Sequence, residues 1–312
     1  MKGRKATGDR RQATEKQRAG HWVGLDRSRC WPIALPARIG TYAALLLGSA
    51  LFVTPFLYAL SASLKKLDAV YAYPPVLWPA LPQWSNYVRA VTLLPFGLFL
   101  LNSCLLTAAC VVGQLLSGAL VAYSFARLRW PGRDFMFVVL LSTMMLPGQV
   151  TMIPTFIMWT HLREITGVDW VGTFKPLIVP AYLGGAPVYI FLMRQFFKGI
   201  PLELEEAARI DGCSTLQIFR RIVLPLSRPV LATVGVLSFI AHWHDFMGPL
   251  IYLDRVETYT LQLGLRMFQT VNGGFTHYLM AASMLVLMPV LVLFFFAQRQ
   301  LVRGIALTGI KG

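Results

Sequence analysis

Six runs of near-continuous apolar residues dominate this chain, each close to the length a helix needs to cross a hydrocarbon core of roughly 30 Å. They are about Ile39–Leu60, Leu98–Phe125, Phe135–Ile157, Leu177–Met193, Pro229–Leu253 and Tyr278–Phe296. With 56% hydrophobic against 14% charged residues in 312, the apolar surface exceeds what one soluble core of this size buries. The expected fold is an all-α membrane protein of six transmembrane helices, with much of its surface facing lipid.

Charge then sets the orientation. The net +15 is unevenly distributed: of 29 Lys and Arg, 22 fall on one side of the six runs and seven on the other. The rich side holds residues 1–38, Arg127, Arg129, Arg133, the stretch Arg194–Arg228, and Arg299, Arg303 and Lys311. By the positive-inside bias this side is the cytoplasm, so both termini are expected there. A nucleic-acid partner is not implied, since a DNA-binding surface would not scatter its cations between apolar runs.

The expected organisation follows. Residues 1–36 form a basic tail without apolar periodicity, read as disordered and as holding the amino terminus inside. Residues 37–97 carry the first span, a retained anchor with no cleavage-site pattern after it, and an outer loop. Tyr71, Tyr73, Trp78, Trp84 and Tyr87 of that loop suit the membrane interface. Residues 98–298 form the transmembrane core with a soluble insertion at 201–229, and 299–312 form a second cytoplasmic tail. The four cysteines give neither a disulfide framework nor zinc spacing: Cys104 and Cys110 share a span but point roughly 240° apart.

Several chemistries lack their motifs. The phosphate cradle G-x-x-x-x-G-K-[ST] does not occur, and neither do G-x-S-x-G or H-E-x-x-H. No catalytic residue, metal ligand set or cofactor is expected, and any ATP must be handled by a partner.

The insertion carries the strongest local pattern. Glu203, Glu205 and Glu206 follow Pro201 where a helix dipole favours negative charge, and Gly212 stands where a left-handed cap ends a short helix. Ser214 is a candidate N-cap for a second helix, with Leu216, Phe219, Ile222 and Val223 as its apolar face and Pro225 as its end. The product is a helix-turn-helix elbow. Ala207 and Ala208 are small enough to let another protein approach the backbone, and Glu206 and Asp211 offer charge; packing of the elbow beneath its own spans is the alternative.

Glu206-Ala207-Ala208, Gly212 and Ile222-x-Leu224-Pro225 resemble the EAA loop of ABC importer permeases. Further matches narrow the subclass to the carbohydrate-uptake branch related to the maltose permease pair. They are Asn102-Ser103, Ala122-Tyr123-x-Phe125-Ala126-Arg127, Pro131-Gly132, Met145-x-Pro147, Arg194-Gln195-Phe196-Phe197 and Gln298-Arg299-x-Leu301-Val302. One segment departs from the family: Trp243-His244-Asp245-Phe246-Met247-Gly248-Pro249 stands where Trp-Asn-Asp/Glu-Phe-x-Trp-Pro is usual. The resemblance implies a type I permease subunit in a prokaryotic inner membrane. It implies a second permease subunit, cytoplasmic ATP-binding subunits and an extracytoplasmic solute-binding protein as partners. It also implies that Glu206, Ala207, Ala208, Asp211, Gly212, Ile222, Leu224 and Pro225 couple to the ATPase. A secondary transporter or channel without an ATPase is the alternative, and it leaves the elbow unexplained.

Polar groups inside spans are costly and point to function or to helix contacts. His242 and Asp245 are three apart and would share a helical face, whereas His242 and His244 point about 200° apart, unsuitable for chelation. Asn102, Gln114, Gln149, His244 and Asp245 are candidates for lining a solute path, with interhelical hydrogen bonding as the other reading. Ser142, Thr143, Pro147, Gly148, Gln149, Thr151 and Pro154 in the third run are expected to face the bundle interior.

Overall fold

The computed structural model describes residues 35–74, 76–270 and 274–309, so residues 1–34 of the tail expected over 1–36, Cys30 among them, lie outside the described residues. Every regular element among the described residues is helical. The chain divides into two units at Phe56 and Leu57.

In the first unit the described residues belong to helix α1 (Leu35–Ser63), whose last turns continue into the second unit. Leu46, Leu47, Leu51 and Phe52 are exposed along it, the surface that a lipid-facing helix presents.

The second unit continues through an outer loop to α2 (Ser85–Thr92) and then α3 (Phe96–Arg127). Asn86 holds the loop by donating from Nδ2 to the carbonyls of Ser63 and Lys65, each at 2.8 Å. Among the aromatic residues of that loop, Tyr71, Tyr73, Trp78 and Trp84 are exposed, as interface anchors would be.

Helix α3 is the centre of the unit, packed by α6 (Lys175–Tyr182), α7 (Pro187–Lys198) and α10 (Arg228–Trp243). Its buried residues Asn102, Leu106, Cys110, Gln114, Gly118 and Ala122 recur every fourth position, one face of a helix. Glycines on this helix let neighbouring helices close in. A Cβ on Gly118 would lie 2.8 Å from Met193 Cε, and one on Gly113 would lie 2.6 Å from Tyr182 Cδ2.

Three of the expected continuous spans are interrupted. The third is two helices, α4 (Arg133–Thr143) and α5 (Gly148–Thr166), bent by 103° where Leu146 and Pro147 cannot continue the ladder. The fourth breaks between α6 and α7, where Gly184 and Gly185 have φ of 109° and 68°. The fifth ends at Trp243 and resumes as α11 (Met247–Tyr252), because the ring of Pro249 would clash with the Asp245 carbonyl in an unbroken helix. His242 and Asp245 therefore do not share one continuous helix.

The polar stretch of the third run, expected to face the bundle interior, is not packed against this chain's own helices. Ser142, Thr143, Gly148, Gln149, Thr151 and Pro154 are exposed on this chain. The hydroxyls satisfy themselves locally, Ser142 on Val138 at 2.9 Å, Thr143 on Leu140 at 2.6 Å and Thr151 on Gly148 at 3.0 Å, so no neighbouring helix is needed.

Helix α12 (Leu261–Thr270) leads to the last helix, α13 (Thr276–Gly309), which continues without a break through most of the segment expected as a tail. Four helices among the described residues are long and apolar enough to cross a membrane, or up to six if each bent pair is one span.

Candidate functional site

The insertion folds into two short helices joined by a tight turn. Its first helix, α8 (Glu203–Ile210), keeps Glu203 and Glu206 exposed at its positive end. The turn closes as the sequence pattern predicts. Gly212 has φ +82°, its N–H donates to the Arg209 carbonyl at 3.0 Å, and the Cys213 N–H reaches back to the Ala208 carbonyl at 2.9 Å. Ser214 caps α9 (Thr215–Ile218) reciprocally: Gln217 N–H donates to Ser214 Oγ at 3.4 Å, and Ser214 N–H donates to Gln217 Oε1 at 2.7 Å.

Pro225 does not end this helix as expected. A π turn over Phe219–Val223 widens the chain ahead of the proline, a helical turn follows over Leu224–Leu226, and the 77° bend into α10 comes at Ser227.

The elbow has an inner and an outer side. Ile218, Phe219 and Val223 pack with Ala208, Met193 and Phe197, and the Phe219 ring lies 4.9 Å from that of Tyr123. Ala208 is thus buried within its own chain, since its methyl fills the α8–α9 contact, and is not open to a partner as expected. Leu216 is likewise not part of the packed face. It is 67% exposed, with Ile210 at 88%, and both stand on the outer side with Glu206, Ala207, Asp211 and Gly212. Ile222 and Leu224 are half-buried and Pro225 is exposed.

An ion pair absent from the sequence reading fixes the elbow to the helices. Arg127, the last residue of α3, places Nε 2.9 Å from Glu205 Oε1, with both side chains almost fully buried. The two atoms are not aligned as a hydrogen bond, so the contact is ionic. The same guanidinium donates to the carbonyls of Phe197, at 2.7 Å, and Ile200. Glu205 stands among exposed acids, so nothing in its spacing distinguishes it.

The polar candidates in the spans separate into two groups. Asn102 donates to the Glu257 and Tyr259 carbonyls at 2.8 and 3.0 Å, and Gln114 Oε1 accepts from the Ala186 N–H at 2.8 Å. Both side chains are buried on backbone of their own chain. Gln149 and His244 are exposed, and Asp245 is half-buried, its Oδ1 accepting the Gly248 N–H at 3.1 Å. His242 Nδ1 is 2.7 Å from the Ser238 carbonyl. A cavity of about 450 Å³ opens between α11 and α12, lined by Phe246, Met247, Leu250, Gln262 and Arg266 among others, and Asp245 is not part of its lining. Arg266 lies 5.8 Å from the Phe246 ring. Gln262 and Arg266 were missed because α12 reads as an outer loop when only the six longest runs are counted.

The binding-protein-dependent transport system inner membrane component family matches residues 114–307, and the chain belongs to that family. It is 36% identical over 211 residues to the arabinooligosaccharides transport system permease protein AraQ of Halalkalibacterium halodurans, covering 68% of this chain and 73% of that one. It is 34% identical over 276 residues to the sn-glycerol-3-phosphate transport system permease protein UgpE of Salmonella typhi, covering 86% of this chain and 95% of that one. A chain of a bacterial ABC transporter involved in the import of the acidic polysaccharide alginate superposes with a TM-score of 0.72 at 26% identity, covering 85% and 98%.

Proposed function

We propose that this chain is one of two membrane subunits of an ATP-driven importer that carries a sugar or related polyhydroxylated solute into the cytoplasm. Its six spans leave both termini in the cytoplasm, a reading supported by the bias of Lys and Arg to one set of connecting segments. The cargo class is supported by the substrates that its relatives are named for, arabinooligosaccharides and sn-glycerol-3-phosphate. An extracytoplasmic binding protein delivers the solute, and ATP is hydrolysed in partner subunits, because this chain carries no phosphate cradle.

The observation that carries the reading is the two-sided elbow. Its inner side is locked into the helices through Glu205 and Arg127, while Glu206, Ala207, Ile210, Asp211, Gly212 and Leu216 stand free for a partner. Closure of the ATPase dimer pushes on this outer side, and the ion pair passes the displacement to α3 and α7. The solute path runs past Asp245.

The test is cross-linking. A cysteine introduced by Ala207→Cys, in a chain lacking its native cysteines, should cross-link to a co-purified ATP-binding subunit, and the yield should change when ATP is added. A chain that transports without any ATP-binding partner would favour a secondary transporter instead.

A further inference from the structure

Three apolar helices of the second unit end near a cluster of cations of which the coupling elbow uses only Arg127. Helix α3 closes on Arg127, α4 opens on Arg133 and α7 closes on Lys198. Arg127 bonds the carbonyls that end α7, while Arg133 pairs with Asp134 at 3.0 Å and Arg194 of α7 stacks on the Phe137 ring of α4 at 3.7 Å. These helix ends therefore share one level, which is where the apolar length of each span runs out.

At that level a cavity of about 380 Å³ opens between α3 and α4, lined by Arg129, Trp130, Gly132, Arg133, Asp134 and Phe135. Gly132 turns the chain at φ +80°, and nothing stands within 4 Å of where its Cβ would be, so the turn leaves the cavity unfilled. Arg129 and Arg133 line the cavity with a single carboxylate, Asp134, whose side chain is 76% exposed and paired to Arg133 at 3.0 Å, and the last turns of α7 add Arg194 and Lys198. Arg194 is held in place by the Phe137 ring, 3.7 Å away, and by the Phe125 carbonyl at 3.2 Å, neither of which neutralises it. The cluster keeps an excess of positive charge.

Apolar surface adjoins it. Phe135, which lines the cavity, and Met136, next to it in the first turn of α4, are 71% and 49% exposed. A soluble anion would satisfy the cations and leave those side chains uncovered. A ligand with an anionic head and an apolar tail satisfies both, and Trp130 beside the head is a residue type that settles at the membrane interface.

We propose that this cavity holds the phosphodiester headgroup of an anionic phospholipid, with its acyl chains laid along Phe135 and Met136. Arg129 and Arg133 bind the phosphate directly, and Arg194 and Lys198 supply the surrounding field. The site needs only that the helices lie in a bilayer, so it stands whichever solute the importer carries.

The full-length protein, purified in mild detergent and stripped of lipid, is titrated with phosphatidylglycerol, phosphatidylcholine or soluble glycerol phosphate, and bound lipid is counted by native mass spectrometry. Phosphatidylglycerol should bind, phosphatidylcholine should not, and soluble glycerol phosphate at equal concentration should not displace the lipid. Arg129→Gln with Lys198→Gln removes two exposed cations and should lower phosphatidylglycerol affinity roughly thirtyfold, at the attraction expected per basic residue near an anionic surface. Asp134→Asn should raise the affinity. Equal binding of the two lipids, full affinity in the double variant, or displacement by soluble glycerol phosphate would each overturn the assignment.

Discussion

Arg127 and Glu205 form a buried ion pair, Nε to Oε1 at 2.9 Å, that joins the carboxyl end of the central helix to the first helix of the elbow. Its side chains are 5% and 4% exposed, so neither charge has water to fall back on if the other is lost. Removing one partner of such a pair costs roughly 3–5 kcal/mol. Glu205→Gln should therefore lower the melting temperature of the purified chain and weaken its retention of the ATPase subunit. Glu206→Gln, one residue on but exposed, should leave the melting temperature unchanged and affect only the retention. Equal thermal shifts in the two variants would remove the special role of the pair.

Gly212 is constrained by its backbone and not by its neighbours. Its φ of +82° is unfavourable for L residues by about 1–2 kcal/mol, while no atom lies within 4 Å of the missing Cβ. Gly212→Asn should be nearly neutral, because asparagine tolerates this region, and Gly212→Val should uncouple ATP hydrolysis from uptake. A clash would penalise both variants; strain penalises only valine. Uptake rates of the two variants in proteoliposomes separate the cases, and unchanged uptake in Gly212→Val would deny the turn a role in coupling.

Much of this architecture was legible because its signals are local. Gly212 and Ser214 act within a few residues, and their caps formed where the pattern placed them. The apolar runs marked the helices for the same reason, since lipid demands an unbroken stretch of apolar side chains. The breaks were hidden because hydropathy averages over the glycines, prolines and the His244–Phe246 link that interrupt a run without making it polar. Long-range partners were hidden more completely. Gln114 meets Ala186 across 72 positions and Arg127 meets Glu205 across the α3–α8 contact, and one sequence contains no trace of such pairings.

The break between α6 and α7 makes a steric prediction. Gln114 Oε1 accepts the Ala186 N–H, and a Cβ on Gly185 would fall 2.0 Å from that same oxygen, at a φ of +68°. Gly185→Ala should cost several kcal/mol, through both overpacking and backbone strain, at about 1–3 kcal/mol for each. Gly184→Ala carries strain alone, with open space around it, and should cost less. Adding Gln114→Ala to Gly185→Ala should recover the steric part. Melting temperatures of the four proteins give the cycle, and additivity of the two substitutions would mean that the side chain and the glycine do not meet.

Asp245 caps the helix that resumes after the break in the fifth span, and only one of its oxygens is needed for that task. Oδ1 accepts the Gly248 N–H at 3.1 Å, and Gly248 has no side chain because a Cβ there would lie 2.5 Å from Oδ2. Asparagine at 245 keeps an oxygen for the cap and gives up the charge, so the variant separates structure from transport. Sugar hydroxyls donate to a carboxylate more strongly than to an amide, by about 1 kcal/mol for a bond to a charged group over a neutral one. Asp245→Asn should therefore slow uptake roughly fivefold while membrane expression and retention of the ATPase stay unchanged. Gly248→Ala, which crowds the same carboxylate, should instead reduce expression. Radiolabelled uptake and quantitative blotting on the two variants make the distinction: lost expression in Asp245→Asn would assign the residue to the fold, and unaltered uptake would take it out of the solute path.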